Sequence, residues 1–509
     1  MLLGLTGAVP ASPPCYTLDT TPSSPISQAH VPEFIGYSVE PSFWTEFFGE
    51  PDAPRELTFR LVQHLHERGA KLIIRPGGDM QDSMVYEPTL NQSVLRIESG
   101  KGGIYQTRIG PKFFESWDNF PEGTEFVATT NFRNHSLPIA VGLAVAAYEA
   151  QKDKIRYYEL GNEPTFYPKE RYNGSTKAYV EDWHRFTAEI DMAVNNDSYG
   201  KWWASSATTD DSGLELRPAA LIPAGVNNTG QVGQYSIHTY EFASCDPVAN
   251  ELATINNIIN HTDLVRYADE EVYPSAKAAL DVGAEWIIGE FNSVACAGKP
   301  NVSDTFAQAL WTVDISLIYA VRNATSVLLH QGAALLFKSN QQINAPGDDG
   351  SPGYASYSLL YPTNSTKRGE ARVLPVFVSQ LLITEALSNA GRIAHLPTPE
   401  GVDEDRFSAY AIYGEDDAKA SKMVILNMKP HYAGNGTAST LWIDIGEHDG
   451  AIVKRMTAPS VDEKDAAKVT WAQQSFKYGE AVGDVTVEAV KKNGRVPIKD
   501  SEGVLVIFD

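Results

Sequence analysis

The sequence predicts an α/β protein, a (β/α)8 barrel followed by a C-terminal antiparallel β-sandwich. Three observations carry that prediction. From residue 34 onward a short β-rich run, a polar loop and a helical stretch alternate over about 350 residues, the rhythm of a parallel barrel. Beyond about residue 392 the helical period stops, and short β-type runs follow, spaced by Gly, Asn and Asp turns. No Gly-rich phosphate loop follows an early strand, which argues against an open doubly wound sheet.

The expected barrel strands are Phe34–Val39, Lys71–Arg75, Glu125–Thr130, Ile155–Leu160, Lys201–Ser206, Tyr235–Tyr240, Glu285–Glu290 and Ser326–Gln331. Between them, Arg55–Arg68 places Leu57, Leu61 and Leu65 on one face and stops at Gly69, a favoured helix terminator. Leu137–Ala150, Lys177–Val194, Pro274–Val282 and Ser303–Val321 show the same apolar spacing, with Ser303 placed to cap the last. A final helix is expected over Val373–Ala390. The sandwich runs are Phe407–Tyr413, Lys422–Asn427, Thr440–Ile445, Ala451–Met456, Val469–Ala472 and Val504–Phe508. The expected organisation is a partial signal segment over 1–11, an extended segment over 12–33 that pairs with the sandwich, a catalytic barrel over 34–391 and the sandwich over 392–509.

Charge and composition exclude several functions. With 41 Lys+Arg against 64 Asp+Glu the formal net charge is −23, unsuited to nucleic acid, to an anionic membrane or to long sulfated polysaccharides. The 43% hydrophobic and 21% charged fractions are those of a folded globular protein. No apolar run is long enough to span a bilayer. Three cysteines exclude a disulfide scaffold and a four-Cys zinc site, and no HExxH, Cys/His cluster or calcium loop occurs, so neither metal nor cofactor is implied.

The compartment is read from asparagine. Sequons begin at Asn91, Asn134, Asn173, Asn196, Asn227, Asn260, Asn301, Asn323, Asn364 and Asn435. Composition alone would give about three, so the excess points to a secreted, extracellular glycoprotein. The start MLLGLTGAVPA is apolar and ends in small residues, as a signal peptide does, but lacks its basic region and usual length.

Catalytic residues of a parallel barrel sit at the C-terminal ends of its strands. Strand four ends Glu159-Leu160-Gly161-Asn162-Glu163-Pro164, and strand seven ends Ile288-Gly289-Glu290-Phe291-Asn292-Ser293. Each places a glutamate just past an apolar run. Two facing carboxyls are the minimal machinery for glycosidic cleavage, one protonating the leaving oxygen and the other attacking the anomeric carbon or activating water. Asn162, beside the expected acid, is placed to bond a sugar 2-hydroxyl.

With Tyr-Ser-Ile-His-Thr-Tyr at 235–240, these motifs resemble the glycosidase clan whose catalytic glutamates stand on strands four and seven. Within it the chain resembles glycoside hydrolase family 79, the β-glucuronidase and heparanase family, on its fungal branch. The likeness extends through Gly36–Glu40, Ile73–Gly78, His330-Gln331-Gly332 and the terminal sandwich. It implies Glu163 as general acid/base, Glu290 as nucleophile, and net retention. It also implies sugar contacts from Glu40 and a hold on the uronate carboxylate near Gln331 and Gly332, although the tyrosine some relatives carry there is not evident in His-Gln-Gly-Ala-Ala. Tyr240 is expected to bond Glu290, His238 to point the same way or to be a satisfied core histidine, and Arg75 to sit beneath the nucleophile or in a structural ion pair. Cys245 and Cys296, on neighbouring loops after strands six and seven, are expected to form a disulfide if the protein is secreted.

The expectation is thus a monomeric, secreted, retaining exo-β-glucuronidase acting on terminal glucuronic acid, including its 4-O-methyl form, of a glycan. The alternatives are an endo-acting heparanase- or hyaluronidase-like hydrolase and a non-catalytic carbohydrate-binding barrel.

Overall fold

The computed structural model describes residues 15–19, 21–98, 104–194, 200–208, 213–332, 355–366, 368–387, 391–414, 419–446, 448–492 and 494–509. Eight parallel strands close a barrel in chain order. They are Ile35–Val39, Ile73–Arg75, Glu125–Thr130, Ile155–Leu160, Trp202–Ala207, Val232–Thr239, Glu285–Phe291 and Val327–Gln331, called barrel strands one to eight below. Every residue of strands one, two, five and eight is buried, as helices on the outside and side chains on the inside require. Ile73, Val127, Tyr157, Trp203, Ile287 and Leu328 form a separate apolar layer inside the barrel, so the interior is packed and not a channel.

The helices fall where the apolar period places them, at Glu56–His66, Leu137–Gln151, Thr176–Ala193, Tyr273–Asp281 and Phe306–Val321. Two local expectations are corrected. Ser303 does not cap the helix Phe306–Val321; Thr305 occupies that position, and the Ser303 hydroxyl instead bonds Lys299 N and Ser293 Oγ. The last helix starts at Phe377, not Val373: Arg372–Val373 pairs with Leu360–Tyr361, and Pro375 disfavours helical backbone at the residue before it. A three-stranded sheet of Met84–Tyr86, Val94–Glu98 and Ile104–Ile109 also lies between strands two and three.

The C-terminal domain packs two sheets around a second core that includes Phe407, Ile425, Ile443, Val453, Val496 and Val504. One sheet has the order Arg392–His395, Phe407–Tyr413, Ala420–Asn427, Glu502–Phe508, Gly450–Thr457 and Thr470–Trp471. The other joins Thr440–Asp444 to Arg495–Lys499 and, in parallel, to the N-terminal strand Cys15–Thr17. The strands Arg392–His395, Glu488–Lys491 and Arg495–Lys499 went unread in the sequence, because Arg, Lys and Glu interrupt their apolar alternation. Among the described residues no helix is long and apolar enough to cross a membrane.

Candidate active site

Barrel strands four and seven bring Glu163 and Glu290 to one pocket. A carboxylate oxygen from each, with a ring nitrogen of His238, lie within 4.8 Å of one another. Glu163 is built on a sharp turn. Its backbone is left-handed (φ 43°), and the short 3-10 turn Pro164–Phe166 starts directly after it. That conformation is costly for a residue with a Cβ and persists only where neighbours enforce it. Asp82, on the loop after strand two, supplies the enforcement: it accepts from the backbone N–H of Asn162 at 3.1 Å and from the Tyr167 hydroxyl at 2.8 Å. The Glu163 backbone N–H also donates to Ser206 O at 2.9 Å.

Arg75 organises the floor. It is wholly buried, and each guanidinium nitrogen is used. Nε donates to Glu159 at 2.7 Å, Nη1 to Glu290 at 2.8 Å and Ser38 at 2.9 Å, and Nη2 to Asn162 Oδ1 at 2.8 Å and Gln81 at 3.1 Å. The planar fork suits this task, since a lysine could not reach acceptors in so many directions. The Tyr240 hydroxyl donates to the other oxygen of Glu290 at 2.9 Å, and His238 Nδ1 stands 3.2 Å from Glu163.

These surroundings drive the two carboxyls apart. Burial raises the pKa of Glu163 well above the usual carboxylate range, and the negative charge of Glu290 raises it further. Burial also works against ionisation of Glu290. The rings of His330 and His238, the Arg75 guanidinium and the bond from Tyr240 outweigh it and hold that group down at about 2. Burial lowers His238 to about 4, so its ring is neutral near pH 6. One carboxyl thus holds a proton where the other is an anion, the division of labour an acid–nucleophile pair needs. The trio is also spaced to surround a cation, but a protonated Glu163 is a poor ligand.

The remaining expected residues divide. Asn162 lies in the pocket floor with its Oδ1 engaged by Arg75. Glu40 is only 1% exposed, and its oxygens accept from the N–H groups of Asp79 and Met80 at 3.2 and 2.9 Å, so it faces the loop after strand two and not open solvent. Gln331 points away from the barrel axis. Its Oε1 accepts from Leu359 N at 2.8 Å and its amide turns back on the carbonyl of His330 at 2.9 Å. A carboxylate grip by the Gln331 side chain is therefore not formed. Gly332 follows it in left-handed backbone (φ 99°) against Glu40. The structure joins Cys245 and Cys296 in a disulfide between the loops after strands six and seven. Of the sequons, Asn196 lies outside the described residues. Asn91, Asn134, Asn173, Asn227, Asn301, Asn364 and Asn435 are exposed, and Asn260 and Asn323 are half-buried. Sequence reasoning missed Glu159, Ser38 and His330 as members of the cluster. Inward alternation along their strands was the available signal.

A closed parallel barrel with a paired acid and anion at strands four and seven defines this chain as a glycoside hydrolase. Comparison with known proteins agrees. Residues 409–505 match the glycosyl hydrolase family 79 C-terminal beta domain. A β-glucuronidase of Aspergillus niger is 29% identical over 383 residues, covering 67% of this chain and 68% of that protein. One of Neurospora crassa is 26% identical over 504 residues, covering 90% and 86%. In fold, a solved 4-O-α-L-rhamnosyl-β-D-glucuronidase of Fusarium oxysporum superposes over 97% of this chain and 100% of its own, with TM-score 0.79 at 20% identity. A GH51 arabinofuranosidase of Xanthomonas axonopodis pv. citri does so over 97% and 99%, with TM-score 0.59 at 11% identity. These matches agree with the resemblance to glycoside hydrolase family 79 drawn from the motifs.

Proposed function

We propose that this chain is a secreted exo-β-glucuronidase that removes terminal glucuronic acid, including its 4-O-methyl form, from glycans with net retention. The observation that carries the reading is the Glu163–Glu290 pair, close together in surroundings that raise the pKa of one and lower that of the other. A retaining pair stands ~5–5.5 Å apart and an inverting pair ~6.5–9.5 Å. The approach within 4.8 Å favours the retaining geometry. In the first step a Glu290 oxygen bonds to the anomeric carbon as the bond to the leaving oxygen breaks, and Glu163 passes its proton to that oxygen. In the second, Glu163, now a carboxylate, takes a proton from water as the water oxygen displaces Glu290. Because Arg75 engages Asn162 Oδ1, the amide NH2 is the group directed to the sugar 2-hydroxyl. The sugar assignment rests on the two fungal β-glucuronidases. Secretion rests on the sequon excess and the exposure of most of those asparagines.

A panel of p-nitrophenyl glycosides tests the activity. Wild type is expected to favour the β-glucuronide, with product NMR showing retained configuration and Glu290→Gln inactive. No hydrolysis of any glycoside would end the reading, and preference for another sugar would remove only the substrate. A mass loss of the secreted protein on N-glycosidase treatment tests the compartment.

A further inference from the structure

Strand register places a histidine behind the nucleophile. Ser38 pairs with His330 on one side and Arg75 on the other, so these three side chains share the inner face of the barrel. His330 Nδ1 lies 3.0 Å from Ser38 Oγ and 3.5 Å from a Glu290 oxygen, and its Nε2 lies 3.6 Å from Glu40. We propose that His330 carries a positive charge against Glu290 and is held there by Glu40, so that both are positioning residues for the nucleophile. This rests on the glycosidase reading of Glu290.

The hydrogen-bond inventory argues for the charge. Ser38 Oγ already accepts from Arg75, and its proton is directed to Gly77 O at 3.4 Å. The oxygen can then accept from His330 Nδ1–H, while Nε2 faces Glu40 at an ion-pair distance of 3.6 Å. Both ring nitrogens act as donors only in the imidazolium. A neutral ring with a bare Nδ1 would instead turn a lone pair toward the Glu290 carboxylate. Electrostatic neutrality points the same way. One guanidinium, Arg75, is shared between the buried carboxyls of Glu159 and Glu290, and His330 supplies a second cation.

Glu40 is fixed for the part. A Cβ on Gly78 (φ 133°) would lie 2.7–2.8 Å from its carboxyl atoms and one on Gly332 would lie 3.0 Å from its Cβ, so the two loops close over it. The groups acting on His330 are Glu40 after strand one, Arg75 from strand two, Glu163 after strand four, His238 from strand six and Glu290 from strand seven, with the Tyr357 ring 6.0 Å away. Burial disfavours the imidazolium, but Glu290 and Glu40 together raise its pKa above the ordinary value. Burial lifts Glu40 itself to about 7, against the pull of His330, so below neutrality its carboxyl adds little charge of its own.

The test is the acidic limb of the kcat/KM profile on an aryl glucuronide. Loss of a charge this close to a carboxylate moves its pKa by ~1–3 units. His330→Gln should therefore move the limb up by at least about one pH unit. Glu40→Leu, which removes the polar partner facing Nε2, should move it the same way by less. An unmoved limb in a His330→Gln protein that melts like wild type would overturn the proposal. So would Glu40→Leu raising KM alone, which would make Glu40 a sugar contact. If either variant fails to fold, 15N-histidine NMR of wild type decides instead. Two protonated ring nitrogens on His330 at pH 6 support the proposal, and a neutral ring at pH 5 overturns it. If wild type hydrolyses no glycoside, the functional reading has failed, and the NMR result still settles the charge.

Discussion

Replacing Arg75 by methionine isolates what the buried ion pairs hold together. Arg75 and Glu159 are wholly buried and Glu290 is 7% exposed, so solvent screening is slight. Breaking a buried pair by removing one partner costs about 3–5 kcal/mol, because the surviving charge is stranded. At ~2.1 cal/mol/K per residue, a barrel of about 350 residues unfolds with an entropy of roughly 0.7 kcal/mol/K, which converts that loss to about 4–7 °C. Differential scanning calorimetry at pH 6 and fixed scan rate should show this drop in Arg75→Met. The deficit should widen as pH rises from about 2. Without the guanidinium the Glu290 pKa moves up from that depressed value, and the stability a depressed carboxyl contributes above it is lost. Arg75→Met/Glu159→Gln strands one charge fewer and should recover part of the loss. A single variant within 1 °C of wild type, or a double variant that merely adds a second deficit, would refute the ion-pair account.

Glu163→Gln should slow cleavage of an alkyl glucuronide ~10²–10⁴-fold and of an activated aryl glucuronide less, since a good leaving group needs no proton; equal losses would remove Glu163 from the acid role. His30, 4% exposed, bonds Ala320 O at 3.0 Å, and burial holds it at about 4. A histidine depressed on folding contributes stability above its unfolded value of ~6.5 that is lost as pH falls toward 4, up to roughly 3 kcal/mol, so His30→Asn should flatten the melting-temperature profile across that window. The disulfide spans 51 residues. Loop entropy gives it a ceiling of ~4 kcal/mol, so a non-reduced peptide map should contain the linked pair and Cys245→Ser/Cys296→Ser should melt lower. Raising salt from ~10 to ~200 mM should increase kcat/KM for an anionic glucuronide relative to a neutral glucoside, because it screens repulsion from a net charge of −23; a falling ratio would contradict this.

The glutamates were legible because each stands just past an apolar run, where a barrel exposes its chemistry. Arg75 was legible for the same reason, and Tyr240 from the resemblance and its place after strand six, beside strand seven. Strand eight was not. His330 and Gln331 are adjacent, and alternation sends one to the axis and the other outward against Leu359, so everything depends on a single step of register. The pairing of His330 with Ser38 fixes that step, and it is a contact across 292 residues that local pattern does not carry. Sugar contacts from Glu40 are implied by the family resemblance and not by local pattern. Its burial follows from Gly78 and Gly332, two loop glycines whose closure over it depends on backbone angles.

The net charge of −23 describes the surface, while the reaction is governed by where the buried cations sit. Glu290 has Arg75 at 2.8 Å and His330 at 3.5 Å, whereas the nearest such group to Glu163 is His238, neutral near pH 6. This asymmetry keeps the proton on Glu163. It also supplies a reset. Glu290 is the largest charged contributor to the raised pKa of Glu163, second only to burial. When Glu290 forms its bond to the sugar in the proposed first step, its negative charge disappears. The repulsion that held the proton on Glu163 disappears with it. Glu163 has by then given up that proton and is stabilised as the base that the second step requires. A carboxyl that feels its partner's charge this strongly can therefore switch from acid to base within one turnover of the proposed mechanism.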